Sequence, residues 1–308
     1  MSNPPIMIAK RVLRMSKGAV NILRRPEAII YPAKIQVPKL LTRNETLSTA
    51  LERNLSIVRF GDGEMQMTRF APQGGGIHFQ KYDPKLRERL TEILLQTHSK
   101  VLVCYCNAYT LYRDHHVVLD YERSQKDYFR YLTIHRQNDV AVRRRTKMML
   151  MFRSMLATFK DKTPLSTLGD ATCFFLEHYF EDYVKRSIAA ICELYGRMFR
   201  NRRVLIVGPE RPTFSKSFRQ LAHSGIIQSP RHIDFLDIPN RDCFDHYYDI
   251  LDRILSFQSI DAVIVQAGPT ATVLAWDLTT KYGLVAYDVG SLGISLQKAA
   301  EIHPGLSF

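Results

Sequence analysis

The sequence predicts an α/β fold: a mainly parallel sheet flanked by helices, preceded by a basic helical N-terminal segment. Three observations carry this. Short apolar runs alternate with helical patterns across the last third of the chain. The apolar runs are continuous rather than alternating, as in strands buried on both faces. Residues 1–36 hold seven Lys/Arg against one acid, Glu27, with Ile6, Ile8, Val12, Leu13, Val20 and Leu23 at roughly helical spacing.

The elements follow in order. Thr42 or Asn44 caps a helix through Leu51, which leads into a strand over 55–60. Asp83 caps a helix with Pro84 at its first position, and VLVCYC follows as a buried strand. Residues 111–160 and LEHYFEDYVKRSIAAICELYGRMF read as helical. Strands are then expected at 204–208, 233–238, 262–267 and 284–287, with helices near 215–224, 244–257 and 270–281. Crossovers of this kind give parallel neighbours. Residues 1–40 are expected to form the basic amphipathic segment and 41–308 one catalytic domain.

Bulk properties narrow the partners. At 308 residues, 45% hydrophobic and 24% charged, the chain can bury a full core. A formal net charge of +13 favours phosphorylated molecules, anionic lipid or nucleic acid. Basic residues interleaved with aromatic stacking platforms are lacking, so no nucleic acid is expected. The five cysteines are scattered without C-x-x-C spacing, which argues for a reducing compartment. No run of about 18 apolar residues and no secretory signal occurs, so a cytoplasmic location is expected. The basic segment suits an anionic membrane surface at the inner face; a helix packed on the domain is the alternative.

In a parallel sheet the ligand sits beyond the carboxyl ends of the strands. Those ends read Gly61-Asp62-Gly63-Glu64, Pro209-Glu210-Arg211, Pro239-Asn240-Arg241-Asp242, Gly268-Pro269-Thr270-Ala271-Thr272 and Asp288. If 61–64 is extended, Asp62 and Glu64 point the same way, and two hard carboxylates suit Mg²⁺ or Mn²⁺. An Asp-Gly turn is the plainer reading of the same residues. In GPTAT the threonines are expected to cap a helix whose N–H groups would take a diphosphate. No Walker loop and no G-x-G-x-x-G occurs. Arg59 and Arg211 are the arginines best placed for anions. Arg143, Arg144 and Arg145 read as a solvated helical face, and His115-His116 as surface or packing residues, though a single one could serve as an acid or base.

SIVRFGDGE, FQKYDPKLRERL, IPNRDCFDHYYDIL, QAGPTATVLAWDL and YDVG together resemble, in order and spacing, the GT-D-type glycosyltransferase family over about residues 45–290. The resemblance implies a Rossmann-like domain using a nucleotide-sugar donor, typically a UDP-sugar, and a D-x-E motif linked to a divalent metal, usually Mn²⁺. It implies glycan, glycoprotein or lipid-linked acceptors in bacterial surface assembly. Carried over, Asp62 and Glu64 are the metal-linked pair and are catalytic together with Asp288. Arg59, Gly61, Gly63, Arg211, Asn240, Asp245, Gly268, Pro269, Thr270 and Thr272 bind the donor. Glu64, Asp288 and Asp245 are the candidates for a general base. The chain departs from the family pattern at Ser291-Leu292-Gly293-Ile294 and in GDATCFFLEH. The remaining alternatives are a basic binding protein without transferase activity and another phosphate-handling α/β enzyme.

Overall fold

The computed structural model describes residues 39–69, 76–77, 79–105, 167–171, 173, 198–209, 230–290 and 292. Among the described residues eight strands form one sheet: β1 (Lys39–Leu40), β2 (Ser56–Phe60), β3 (Val101–Tyr105), β4 (Thr167–Asp170), β5 (Arg203–Gly208), β6 (His232–Asp237), β7 (Ala262–Val265) and β8 (Ala286–Asp288). Their order is β1-β4-β3-β2-β8-β7-β5-β6. Every pairing between these strands is parallel. The helices are α1 (Arg43–Glu52), α2 (Asp62–Met67), α3 (Pro84–Leu95), α4 (Tyr247–Ser256) and α5 (Pro269–Tyr282), with a 3₁₀ turn at Cys243–His246.

The expected strands are present within one or two residues, and α3 starts as its sequence dictates. Asp83 accepts from the Lys85 and Leu86 N–H groups, with Pro84 at the first helical position. Thr42 rather than Asn44 caps α1, in a reciprocal capping box with Glu45. Two strands lacked a sequence signal. β1 is a two-residue edge just ahead of the expected boundary at 41, and β4 reads TLGD, too short and polar to announce itself. The segments expected to be helical at 1–36, 111–160, 215–224 and most of 176–199 lie outside the described residues, as do His115, His116, Arg143, Arg144, Arg145 and Arg211.

Alternate residues of each central strand enter two apolar layers. Val58, Val103, Leu205 and Val263 face the layer shared with α3, α4 and α5. Ile57, Leu102, Val204 and Ile264 face the layer containing Leu47 and Ala50 of α1. Burial on both faces explains why these strands read as unbroken apolar runs.

Helix α5 is buried along nearly its whole length, from Pro269 through Thr279. Its one buried charge, Asp277, is matched by Arg89 of α3 at 2.7 Å, Lys281 at 3.0 Å and the Tyr247 hydroxyl of α4. A buried carboxylate requires such partners. They fix α5 against its two neighbouring helices, and so fix where its first turn meets the rim of the sheet.

Candidate active site

All strands run the same way, so their carboxyl ends make one rim. At the end of β2 the backbone does not stay extended: Asp62 opens α2, which runs to Met67. This corrects the expected extended backbone over 61–64. Gly61 is the N-cap, and Glu64, the third helical residue, turns back so that its Oε2 accepts the Gly61 N–H at 2.9 Å. An acid in the first turn also suits the helix dipole. A β-carbon at 61 would stand 3.0 Å from that carboxylate oxygen, and one at 63 would stand 3.0 Å from Ile77. Glu64 is only 8% exposed. The Asp62 side chain lies outside the described residues.

Behind Glu64 is a buried ion pair. Arg59 Nε donates to Asp288 Oδ1 at 3.3 Å and Nη1 donates to the Ala171 carbonyl at 2.7 Å. Asp288 Oδ1 also accepts the Gly290 N–H at 3.1 Å, and its Oδ2 lies 3.0 Å from the Thr272 hydroxyl. That hydroxyl is equally close to the Arg59 carbonyl, so its one proton serves two acceptors. Burial works against the guanidinium charge, but Asp288 and then Glu64 more than offset it, and the Arg59 pKa is held above its ordinary value. Gly290 completes the arrangement. Its φ is +56°, and a β-carbon there would fall 1.9 Å from Arg59 Nη2.

The third strand end, after β7, is built differently. Gly268 has φ +56° and caps α5 without a side chain, and Pro269 takes the first helical position. The threonines therefore do not cap the helix, contrary to expectation. Thr270 is buried, with its hydroxyl 3.4 Å from Gln80 Oε1, while Thr272 ties α5 to β2 and β8. The ring of Phe79 occupies the space where a side chain at 268 would project.

The loop carrying Phe79 is fastened to the turn after β6. Asp242, itself at φ +53°, donates its N–H to the Phe79 carbonyl at 3.0 Å, and its Oδ1 accepts the Lys81 N–H at 2.6 Å. Gln80 Oε1 accepts the Phe244 N–H at 3.3 Å. Lys81 Nζ pairs with Asp245 at 2.5 Å on the surface, which raises the lysine pKa. Asn240 lies in the same turn, two residues before Asp242.

The fold thus joins Arg59, Thr272 and Asp288 in one hydrogen-bonded network, with the Gly61–Glu64 pair beside it and coupled to Arg59 through charge. It joins Thr270 and Asp245 through the 79–81 loop in a second. The sequence reading missed Gln80, Phe79, the Ala171 carbonyl and Gly290. Each lay inside a quoted stretch, Phe79 and Gln80 in FQKYDPKLRERL, Ala171 in GDATCFFLEH and Gly290 in YDVG, but none was assigned a role. Gln80 and Ala171 act over sequence separations that no local pattern encodes.

The family described as "Glycosyltransferase GT-D fold" matches residues 57–296. The chain is 23% identical over 254 residues to "Probable glycosyl transferase Gly" of Streptococcus gordonii, covering 82% of this chain and 32% of that protein. It is 23% identical over 252 residues to "Glycosyltransferase GlyD" of Streptococcus pneumoniae, covering 81% of this chain and 26% of that protein. It thus spans a third or less of the length of these relatives. Among solved structures it resembles a domain described as having a distinct glycosyltransferase fold, with a TM-score of 0.57 and 22% identity over 87% of this chain and 81% of that one. It also resembles a glycosyltransferase from Streptococcus sanguinis, with a TM-score of 0.56 and 22% identity over 83% and 82% of the two chains.

Proposed function

The chain belongs to the GT-D-fold glycosyltransferase family, and from that premise we propose that it moves a hexose from a UDP-sugar to a hydroxyl of a glycan, glycoprotein or lipid-linked acceptor in surface polysaccharide or glycoprotein assembly. One observation carries this reading: the carboxylate-bearing start of α2 and the glycine-opened start of α5 lie on the same rim, on strands that flank β8.

The donor set suits a divalent metal in kind. Asp62 and Glu64 offer hard oxygen ligands, and the cap bond of Glu64 occupies Oε2 only once, whereas a carboxylate has roughly four lone-pair sites. Among the described residues no group of three or more His, Cys, Asp or Glu converges. A two-carboxylate set leaves other positions to phosphate and water, the usual arrangement for Mg²⁺ or Mn²⁺. Asp62 and Glu64 would hold the ion, which neutralises charge developing on the leaving diphosphate.

The protein's own groups do the rest. Gly61 leaves room for the Glu64 carboxylate and Gly63 for Ile77. Arg59, fixed by Asp288 and Ala171, holds positive charge behind Glu64. Asp288 receives Arg59, Thr272 and Gly290, and in this reading it is a positioning residue. Backbone at the head of α5 faces the donor phosphates. Residues 1–36 rest on an anionic membrane surface and bring the enzyme to lipid-linked acceptors. Liposome sedimentation with and without that segment tests this, and equal binding by both chains would refute it.

The donor reading is tested by thermal shift. UDP with Mn²⁺ is expected to raise the melting temperature, UDP with EDTA is not, and Asp62→Asn is expected to lose the metal-dependent part. A shift that ignores metal, or one produced only by nucleotides other than UDP, would overturn it.

A further inference from the structure

We propose that the ring of Phe79 is the platform on which the base of the donor nucleotide stacks. This rests on the nucleotide-sugar reading above and names the group that meets the base.

The loop carrying Phe79 bridges two glycine-marked turns of the rim. Ile77 and Gln80 exchange backbone hydrogen bonds at 2.8 and 3.2 Å, which close the loop into a tight antiparallel turn. A β-carbon on Gly63, in the first turn of α2, would stand 3.0 Å from the Ile77 side chain. One on Gly268, the cap of α5, would stand 2.5 Å from the Phe79 ring. Two apolar side chains of one short loop therefore rest on the two turns. Only β8 separates β2 from β7, so the turns are about 10 Å apart.

The loop is held, yet its ring is left in the open. Gln80 is buried, and its Oε1 accepts the Phe244 N–H and lies 3.4 Å from the Thr270 hydroxyl. Asp242 bonds both the Phe79 carbonyl and the Lys81 N–H. Phe79 is nonetheless 47% exposed. The other large hydrophobic side chains exposed among the described residues are Tyr82, Tyr248 and Tyr282, and each offers water a hydroxyl. Phe79 has none. It meets Gly268 along its Cδ2–Cε2 edge, a contact that does not cover the ring face. Leaving an aromatic ring in water forgoes burial energy, and a flat ligand laid on that face would recover it.

Position selects the part of the donor. In the reading above, the metal sits at α2 and the phosphates run toward the head of α5. The hexose hangs on the phosphate at the metal end, and the nucleoside continues from the other phosphate. Phe79 stands at the α5 end of that line, so the base reaches it and the hexose does not. Stacking engages a π-face and no base edge, so Phe79 contributes affinity for a nucleotide without choosing among bases. Fastening of the loop to Asp242 and Phe244 fixes the platform before the ligand arrives, which lowers the ordering cost of binding.

The test is titration of UDP and of inorganic pyrophosphate, both with Mn²⁺, into the full chain, Phe79→Ala and Phe79→Trp. Phe79→Ala is expected to weaken UDP roughly 5- to 100-fold, as for loss of one stacked base, and to leave pyrophosphate unchanged. Phe79→Trp is expected to retain UDP affinity, and its indole fluorescence to be quenched by UDP and not by pyrophosphate. Trp276 is buried and serves as a constant background. UDP affinity kept by Phe79→Ala, even with a raised KM for the acceptor, would overturn the platform and leave the donor reading intact. Equal loss of UDP and pyrophosphate would also overturn it, since the ring would then only support the loop. An indole at 79 that UDP does not quench would do the same. A wild type that binds pyrophosphate but not UDP would overturn both readings.

Discussion

Two strand-to-helix turns on one rim begin with a glycine and end in different chemistry. At β2–α2 the glycine leaves room for a carboxylate, and Glu64 folds back to cap its own helix. At β7–α5 the glycine itself makes the turn at φ +56°, and the polar side chains that follow point inward. The first turn keeps a nearly buried carboxylate beside the strand end. The second spends its polar groups on holding a buried helix in place. A glycine-marked strand end is therefore a place where function can be built, and the direction of the next polar side chains decides whether it was.

If that contrast is right, changes at α2 cost activity and changes around α5 cost stability. The largest effect is expected from Glu64→Gln. The amide oxygen can still accept the Gly61 N–H, so stability should fall by only about 1 kcal/mol, while transfer should drop roughly 10²- to 10³-fold. Unchanged transfer rates in this variant would erase the distinction between the two turns.

Next comes Gly290→Ala. Its β-carbon would overlap Arg59 Nη2, and the backbone is left-handed. Displacing a buried guanidinium from its carboxylate should cost about 3 kcal/mol or more. Denaturant unfolding reads this directly, and a loss under 1 kcal/mol would mean that Arg59 is not locked as described.

The smallest effect is expected at Gly268→Ala, about 1–2 kcal/mol. Part of that is backbone strain and part is the collision with Phe79, which is 47% exposed and able to yield. Introducing Phe79→Ala into Gly268→Ala should recover the steric part only. Full recovery would show that the φ of +56° carries no cost at this turn.

Much of the architecture was legible because it rests on local chemistry. Val204–Val207 and Ala262–Val265 are continuous apolar runs, and Asp83-Pro84 is a helix start whatever surrounds it. The strand ends that carry the rim were legible for the same reason. β4 was not, since four residues reading TLGD acquire their extended form only by pairing with β1 and β3. The helix at 62–67 was not legible either. D-G-E fits a turn as well as a helix start, and the choice was made by a bond to Gly61 and by packing of Met65 and Met67 in the core.

By itself, then, the sequence determined a parallel α/β sheet, the residues at its rim and the family to which they belong. Those follow from side-chain periodicity and from short motifs, which need no distant partner. Only the tertiary structure decided that Arg59 faces Asp288, that Thr272 is a tie and not a cap, that Gln80 joins the second network, and that Phe79 lies against Gly268. Those pairings span from 16 to more than 200 positions along the chain. Its energy comes from burial and geometry that exist only once the strands are side by side.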